Sequence, residues 1–146
     1  ILELHLIGGA FSVPGKGGPV HLTPFTVNHG GIDALGFRIA EAEGGPALVY
    51  LPDVLAIPEE AWPAIMDAEV FICDALRPQP HPSHAHLAQA LDWIARSGCP
   101  RGVLTNMHID MDYATVAATT PDHIQPAFDG MVIEAAADTP DHPAAL

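Results

Sequence analysis

The sequence predicts a layered α/β unit, and three observations carry that reading. Strand-like runs joined by short Gly/Pro turns fill the first third of the chain. Apolar strands and amphipathic helices alternate after residue 53. Polar side chains collect where the strands end, the edge of a sheet at which sites form. With 146 residues the chain has the length of one domain and enough material for one core.

The elements follow in order. Strands are expected at residues 1–7, 20–27, 35–42 and 47–51, with a Gly/Pro turn over 13–19 and a hairpin turn at Gly44-Gly45-Pro46. Residues 58–68 open on Pro58 with Glu59 and Glu60 behind it, the composition of a helical first turn, and Pro63 comes early enough to leave a short helix. Residues 70–75 form a continuous apolar strand ending at Asp74. Residues 83–98 make the clearest helix, with Leu87, Ala90, Leu91, Ile94 and Ala95 on one face, Ser83 as its cap and Gly98 as its stop. A short strand at 102–105, a helix at 111–120 and a last strand at 129–135 complete the pattern, followed by a polar tail from residue 138.

Composition narrows the function. The apolar fraction is 49% against 16% charged residues, lean in charge for a small domain, as if part of the surface were meant to be covered. Five Lys and Arg stand against 18 Asp and Glu, a net charge of −13 that repels the phosphates of a long nucleic acid. No apolar run is long enough for a membrane span, and no signal-peptide pattern is present. The 2 cysteines form no CxxC pair, which excludes thiolate-bound structural zinc and fits a reducing cytoplasm. The 9 histidines are a surplus that calls for a use.

Four places offer chemistry. His29 follows an apolar strand and precedes Gly30-Gly31; it is either a hydrogen-bonded structural residue or a metal ligand turned inward by the glycines. Asp53 is either a helix cap, though well ahead of the helix at 58, or a ligand. His84 sits among His81 and His86 in "HPSHAH", which reads as a solvated helix entry or as a general acid with Asp74 as neighbour. "LTNMHIDMDY" puts Asn106, His108, Asp110 and Asp112 at the mouth of a buried strand, as a polar turn capping a helix near Asp112 or as a metal site. His84-x-His86 is no complete metal motif, because no acid follows it.

Five stretches in order, "VNHG…LGFRI", "LVYLPDVLAIPEEAW", "VFICDALRP…HPSHAHLAQAL", "GVLTNMHIDMDY" and "PAFDGMVIE", resemble the second half of a metallo-β-lactamase-fold hydrolase. They are most similar to its phosphoribosyl 1,2-cyclic phosphate phosphodiesterase-like branch. The resemblance implies half or more of an αββα sandwich, with residues 1–137 as a carboxy-terminal portion and 138–146 as a flexible tail. The first sheet, which carries the family's His-x-His-x-Asp-His motif, is absent from this chain.

The resemblance also implies roles. His29 matches a metal ligand, Asp53 the catalytic carboxylate bridging two metals, and His84 the acid that protonates the leaving group. A gapless match sets the last ligand on Asn106, where the family has His; His108, two places on, is the better donor for zinc or manganese and is taken as the ligand. Asn106 and Asp74 are then expected on the substrate side. The implied function is metal-dependent hydrolysis, a phosphodiesterase for a small cyclic or nucleotide-like phosphoester using two divalent ions, Zn or Mn. Thioester, lactone or β-lactam hydrolysis on the same fold, or a metal-free partner-dependent module, are the alternatives. The expected partners are the substrate and a missing amino-terminal half or companion segment, with a homodimer as a further expectation. The segment alone is expected to be inactive.

Overall fold

The computed structural model describes residues 4–42 and 44–134. Seven strands form one sheet in sequence order: β1 (Phe11–Gly15), β2 (Gly18–His29), β3 (Ile32–Ala40), β4 (Ala47–Leu51), β5 (Val70–Asp74), β6 (Arg101–Thr105) and β7 (Ile124–Pro126). The first four make an antiparallel meander, because two-to-six-residue turns can only reverse the chain. The last four are parallel neighbours, linked by crossovers that carry helices α1 (Trp62–Ile65), α2 (Leu87–Ser97) and α3 (Tyr113–Thr119). Among the described residues no helix is long and apolar enough to cross a membrane.

The α/β class and most strands agree with the sequence reading, and the departures have local causes. Residues 4–10 form no strand, and residues 1–3 of that expected strand lie outside the described residues. The strand instead begins at Phe11 and runs into the expected Gly/Pro turn, because Gly15 pairs with Gly18 and closes a two-residue loop with Gly18 at φ 123°. Pro14 is tolerated because β1 is an edge strand. The helix expected at 58–68 shrinks to a 3-10 turn (Glu59–Ala61) and α1, ending where Asp67 adopts φ 56°. The last strand falls at Ile124–Pro126, not 129–135: Gly102 N–H donates to His123 O (2.9 Å) and Ala127 N–H to Leu104 O (2.8 Å), which pins that segment to β6. Residues 129–134 form no strand, and residue 135 and the tail from 138 lie outside the described residues.

Helix α2 starts later than expected. His86, not Ser83, is its N-cap and makes no side-chain capping bond, while Gly98 ends it at φ 70° as its sequence indicates. Residues before Leu87 stay non-helical because the neck of their loop is tied to the segment just after β5: Leu76 N–H donates to Ala85 O and Leu87 N–H to Arg77 O, both at 2.9 Å. The far end of α2 is clamped by Arg96, which donates to both Glu59 oxygens (3.0 and 2.6 Å) and lies 3.9 Å from the Trp62 ring centre.

The core lies between the sheet and these helices. Val27, Val49, Leu51, Phe71, Cys73 and Leu104 point to this side and are wholly buried, and Ile94 of α2 packs against them. Two glycines mark the closest approaches: a Cβ at Gly102 would sit 2.9 Å from Ile94, and one at Gly36 would overlap the Phe25 ring. The opposite face keeps Leu35 and Tyr50 exposed.

Two predictions follow from this packing. Gly36→Ala forces the Phe25 ring out of place and lowers unfolding free energy by about 1–3 kcal/mol in denaturant titrations. Asp112 caps α3 by accepting from the Thr115 hydroxyl (2.7 Å) and N–H (2.9 Å), bonds that hold its carboxyl below the ordinary value of 3.8. A depressed carboxyl stabilises the fold above its ordinary value and loses that contribution as pH falls through the folded value. Asp112→Ala therefore melts below the parent at neutral pH, and the gap closes in thermal melts taken below pH 3.8.

Candidate metal centre

The strand directions dictate where the site forms. β2 and β4 each run antiparallel to β3, so they are parallel to one another, and β4, β5 and β6 are parallel neighbours. His29, Asp53, Asp74 and Asn106, at or just past the ends of these strands, therefore share one edge. A direct splice draws the first two together. Asn28 O accepts from Leu55 N–H (2.8 Å) and Ala56 N–H (3.2 Å), and Asn28 N–H donates to Ala56 O (3.0 Å). This bridge passes over the end of β3 and seats the loop after Asp53 against the end of β2.

Gly30 brings in the third segment. It adopts φ 76°, and its missing side chain leaves room for Pro82 O and Ser83 Cβ, which would lie 2.9 and 3.0 Å from a Cβ there. The 81–86 loop thus rests directly beside His29. The His29 and His84 rings meet edge to face with centroids 4.5 Å apart.

Asp74 fixes the arrangement from below. It has no exposed surface, and its Oδ2 accepts from Val54 N–H (3.2 Å), Ala85 N–H (3.4 Å) and His84 Nδ1 (2.8 Å). Asn106 Nδ2 donates to its Oδ1 (3.3 Å) and to Pro52 O (3.3 Å). Burial pushes the Asp74 carboxyl above its ordinary 3.8, while the bonds from Val54, His84 and Asn106 pull the other way. Asn106 itself sits at φ 58°, a left-handed conformation that asparagine tolerates and that turns its amide back toward Asp74.

His29, Asp53 and His84 can each offer one donor atom such that all three lie within 4.8 Å of one another. Their chemistry fits a divalent cation: two imidazoles and a carboxylate are a common donor set for zinc or manganese, and His29 Nδ1 is buried with no hydrogen-bond partner. His84 Nδ1 is engaged by Asp74, which leaves Nε2 as its working atom. Asp53 makes no helix cap; the 3-10 turn starts at Pro58 without a side-chain cap.

The other expected residues are placed as follows. His108 does not join the group: its side chain is 53% exposed, and its Nδ1 lies 3.1 Å from Asp110 Oδ2. Asn106 stands in the cluster instead, 3.2 Å from His84 Nδ1. Asp74, expected on the substrate side, has both oxygens engaged by the protein and reaches no surface. Two participants were not singled out from sequence. Asn28 had no signal beyond its place before His29. His81 was visible only as one of a run of histidines; its ring lies 5.3 Å from that of His84.

Comparisons with known proteins agree with this fold. A solved diphosphatase of the PhnP family is 25% identical, with a TM-score of 0.79 over 90% of this chain and 49% of that one. Zn(2+)-bound PqqB from Methylobacterium extorquens is 17% identical, with a TM-score of 0.64 over 88% of this chain and 54% of its own, a likeness of fold alone. An octanoyltransferase from Porphyromonas gingivalis is 28% identical over 110 residues, 74% of this chain but 21% of that protein. The chain thus spans about half the length of these solved structures. The profile of the beta-lactamase superfamily domain matches residues 2–109. With that profile covering most of the chain and the metallo-β-lactamase-type sheet already in place, the chain belongs to the beta-lactamase superfamily.

Proposed function

We propose that the protein carrying this chain is a metal-dependent phosphodiesterase for a small phosphoester. The observation that carries this reading is the Asp74–His84 pair, 2.8 Å apart, beside His29 and Asp53. A buried carboxylate accepting from Nδ1–H orients the ring. The neutral tautomer then has a bare Nε2, so the proton to be donated is the Nε2 proton of the imidazolium form. The likeness to a PhnP-family diphosphatase supports phosphorus as the centre attacked.

In this reading His29 and Asp53 would hold the cation, and the Asp53 carboxylate, with its side chain 53% exposed, would be the group shared with a second one. Two zinc or manganese ions would supply Lewis-acid polarisation of the phosphoester. His84, in its imidazolium form, would donate its Nε2 proton to the departing alkoxide oxygen, which leaves as an alcohol, and the ring is left neutral with its proton on Nδ1 toward Asp74. Zinc takes four donors, and among the described residues His29 and Asp53 would supply two once His84 is kept for proton transfer, so the remaining ligands would come from an amino-terminal half or a companion segment. The net charge of −13 favours a small substrate over a long nucleic acid.

Two measurements test the assignment on the intact protein. Wild type loaded with manganese or zinc hydrolyses bis-p-nitrophenyl phosphate and loses the activity on chelation. His84→Ala lowers kcat by about 10²–10⁴ with metal content unchanged, the size expected for a general acid. Equal turnover of a thioester with and without His84, and none of the phosphodiester, would move the reading to the sibling chemistry. Metal titration separates the ligands: His29→Ala and Asp53→Asn each weaken binding at least about tenfold. His108→Ala leaves it in place, since Asp110 holds that ring apart.

A further inference from the structure

The chain's lysine and arginines are engaged elsewhere or lie far from an incoming phosphate. Arg38 donates to the carbonyls of Ala64 and Met66 (3.1 Å each), and Arg96 to Glu59. Arg101 opens β6, at the end opposite Asn106, beside the Gln125 side-chain amide. Lys16 lies in the β1–β2 turn; β2 is 12 residues long, which sets it more than about 30 Å from His29. Arg77 folds onto its own loop, donating through Nε to Gln79 O (3.2 Å) and through Nη2 to Pro80 O (2.6 Å). Asn106 directs its amide N–H groups at Pro52 and Asp74. Among the described residues, no lysine or arginine is placed to hold a phosphoryl oxygen at this edge, which leaves the metal and the imidazole N–H groups.

One imidazole meets that need. The Ser83 backbone N–H can only donate, and it points at His81 Nδ1 (3.4 Å), with the Ser83 hydroxyl 3.3 Å from the same atom. Nδ1 is therefore the acceptor nitrogen, and the neutral ring carries its proton on Nε2. The loop holding it is braced by Arg77 and seated on Gly30, so the ring is fixed beside His84 with centroids 5.3 Å apart.

We propose that His81 is a substrate-binding residue, whose Nε2–H donates to a non-bridging phosphoryl oxygen next to the leaving group that His84 protonates. This rests on the phosphoesterase reading above. It assigns the His-rich stretch two functions: His84 serves proton transfer and His81 holds the group being transferred. Rigid seating matters here, because a donor fixed before binding loses little freedom when substrate arrives.

The test uses the intact metal-loaded protein with two probes, bis-p-nitrophenyl phosphate for turnover and inorganic phosphate for binding by calorimetry. His81→Ala is expected to raise KM and the phosphate Kd about tenfold or more, the loss of one hydrogen bond to a charged group, with metal content and melting temperature unchanged. His81→Gln, which carries an amide N–H at similar reach, recovers part of both. Unaltered KM and phosphate Kd in His81→Ala overturn the proposal, as does loss of metal in parallel with activity, which would make His81 a ligand. Wild type that binds phosphate without hydrolysing the diester would instead overturn the phosphoesterase reading, while the phosphate Kd of His81→Ala still decides the role of His81.

Discussion

One buried carboxylate organises the functional edge of this fold. Asp74 ends a wholly apolar strand, where an unpartnered charge would be expelled from the interior. It stays because three separate loops supply its donors: Val54 after β4, His84 and Ala85 before α2, and Asn106 after β6. None of these segments has its own regular structure there, so each owes its position to the same two oxygen atoms. The side chain is thus a structural clasp first. Its influence on chemistry passes through the one titratable donor among its partners, the His84 ring.

The mixed sheet explains why the donors come from distant parts of the chain. A purely antiparallel meander would send successive strand ends to opposite edges. Here the change from antiparallel to parallel pairing at β4 brings the ends of β4, β5 and β6 to the edge where β2 already ends. The Asn28 bridge to Leu55 and Ala56 then shortens the span that β3 would otherwise hold open. Function here depends on a change in strand sense combined with one glycine, Gly30, that lets the 81–86 loop come close.

Much of this was legible in the residues. His29, Asp53 and His84 stood out as polar groups following apolar runs or opening a helix, and the structure brings those three together. The α/β order was legible for the same reason, since apolar periodicity reports burial directly. What escaped was set by contacts that have no local signature. The non-helical path of residues 83–86 depends on bonds from Asp74, Leu76 and Arg77, which override the helix signal of Ser83. β7 forms where Gly102 and Leu104 offer partners, and its own three residues carry no strand pattern. In "LTNMHIDMDY" the helix-cap reading holds at Asp112, while Asn106 bonds Asp74 and His108 pairs with Asp110 outside the donor group.

The acidic composition and the proposed chemistry constrain each other. A chain with net charge −13 gathers His29, Asp53, Asp74 and His84 at one point without a single lysine or arginine among them. Such a cluster repels a phosphoester unless positive charge is brought to it from outside the sequence. A divalent cation does this most compactly, because its field dominates at short range and reverses the sign felt by an incoming anion. The same ion would balance the half-exposed Asp53 carboxylate and give the unpartnered nitrogen of His29 something to bind. Metal and substrate would therefore enter in a set order, cation first, and the neutral N–H of His81 suits that order. It adds direction to the anion's placement without competing for the metal, as a second carboxylate would, or repelling it, as an arginine would.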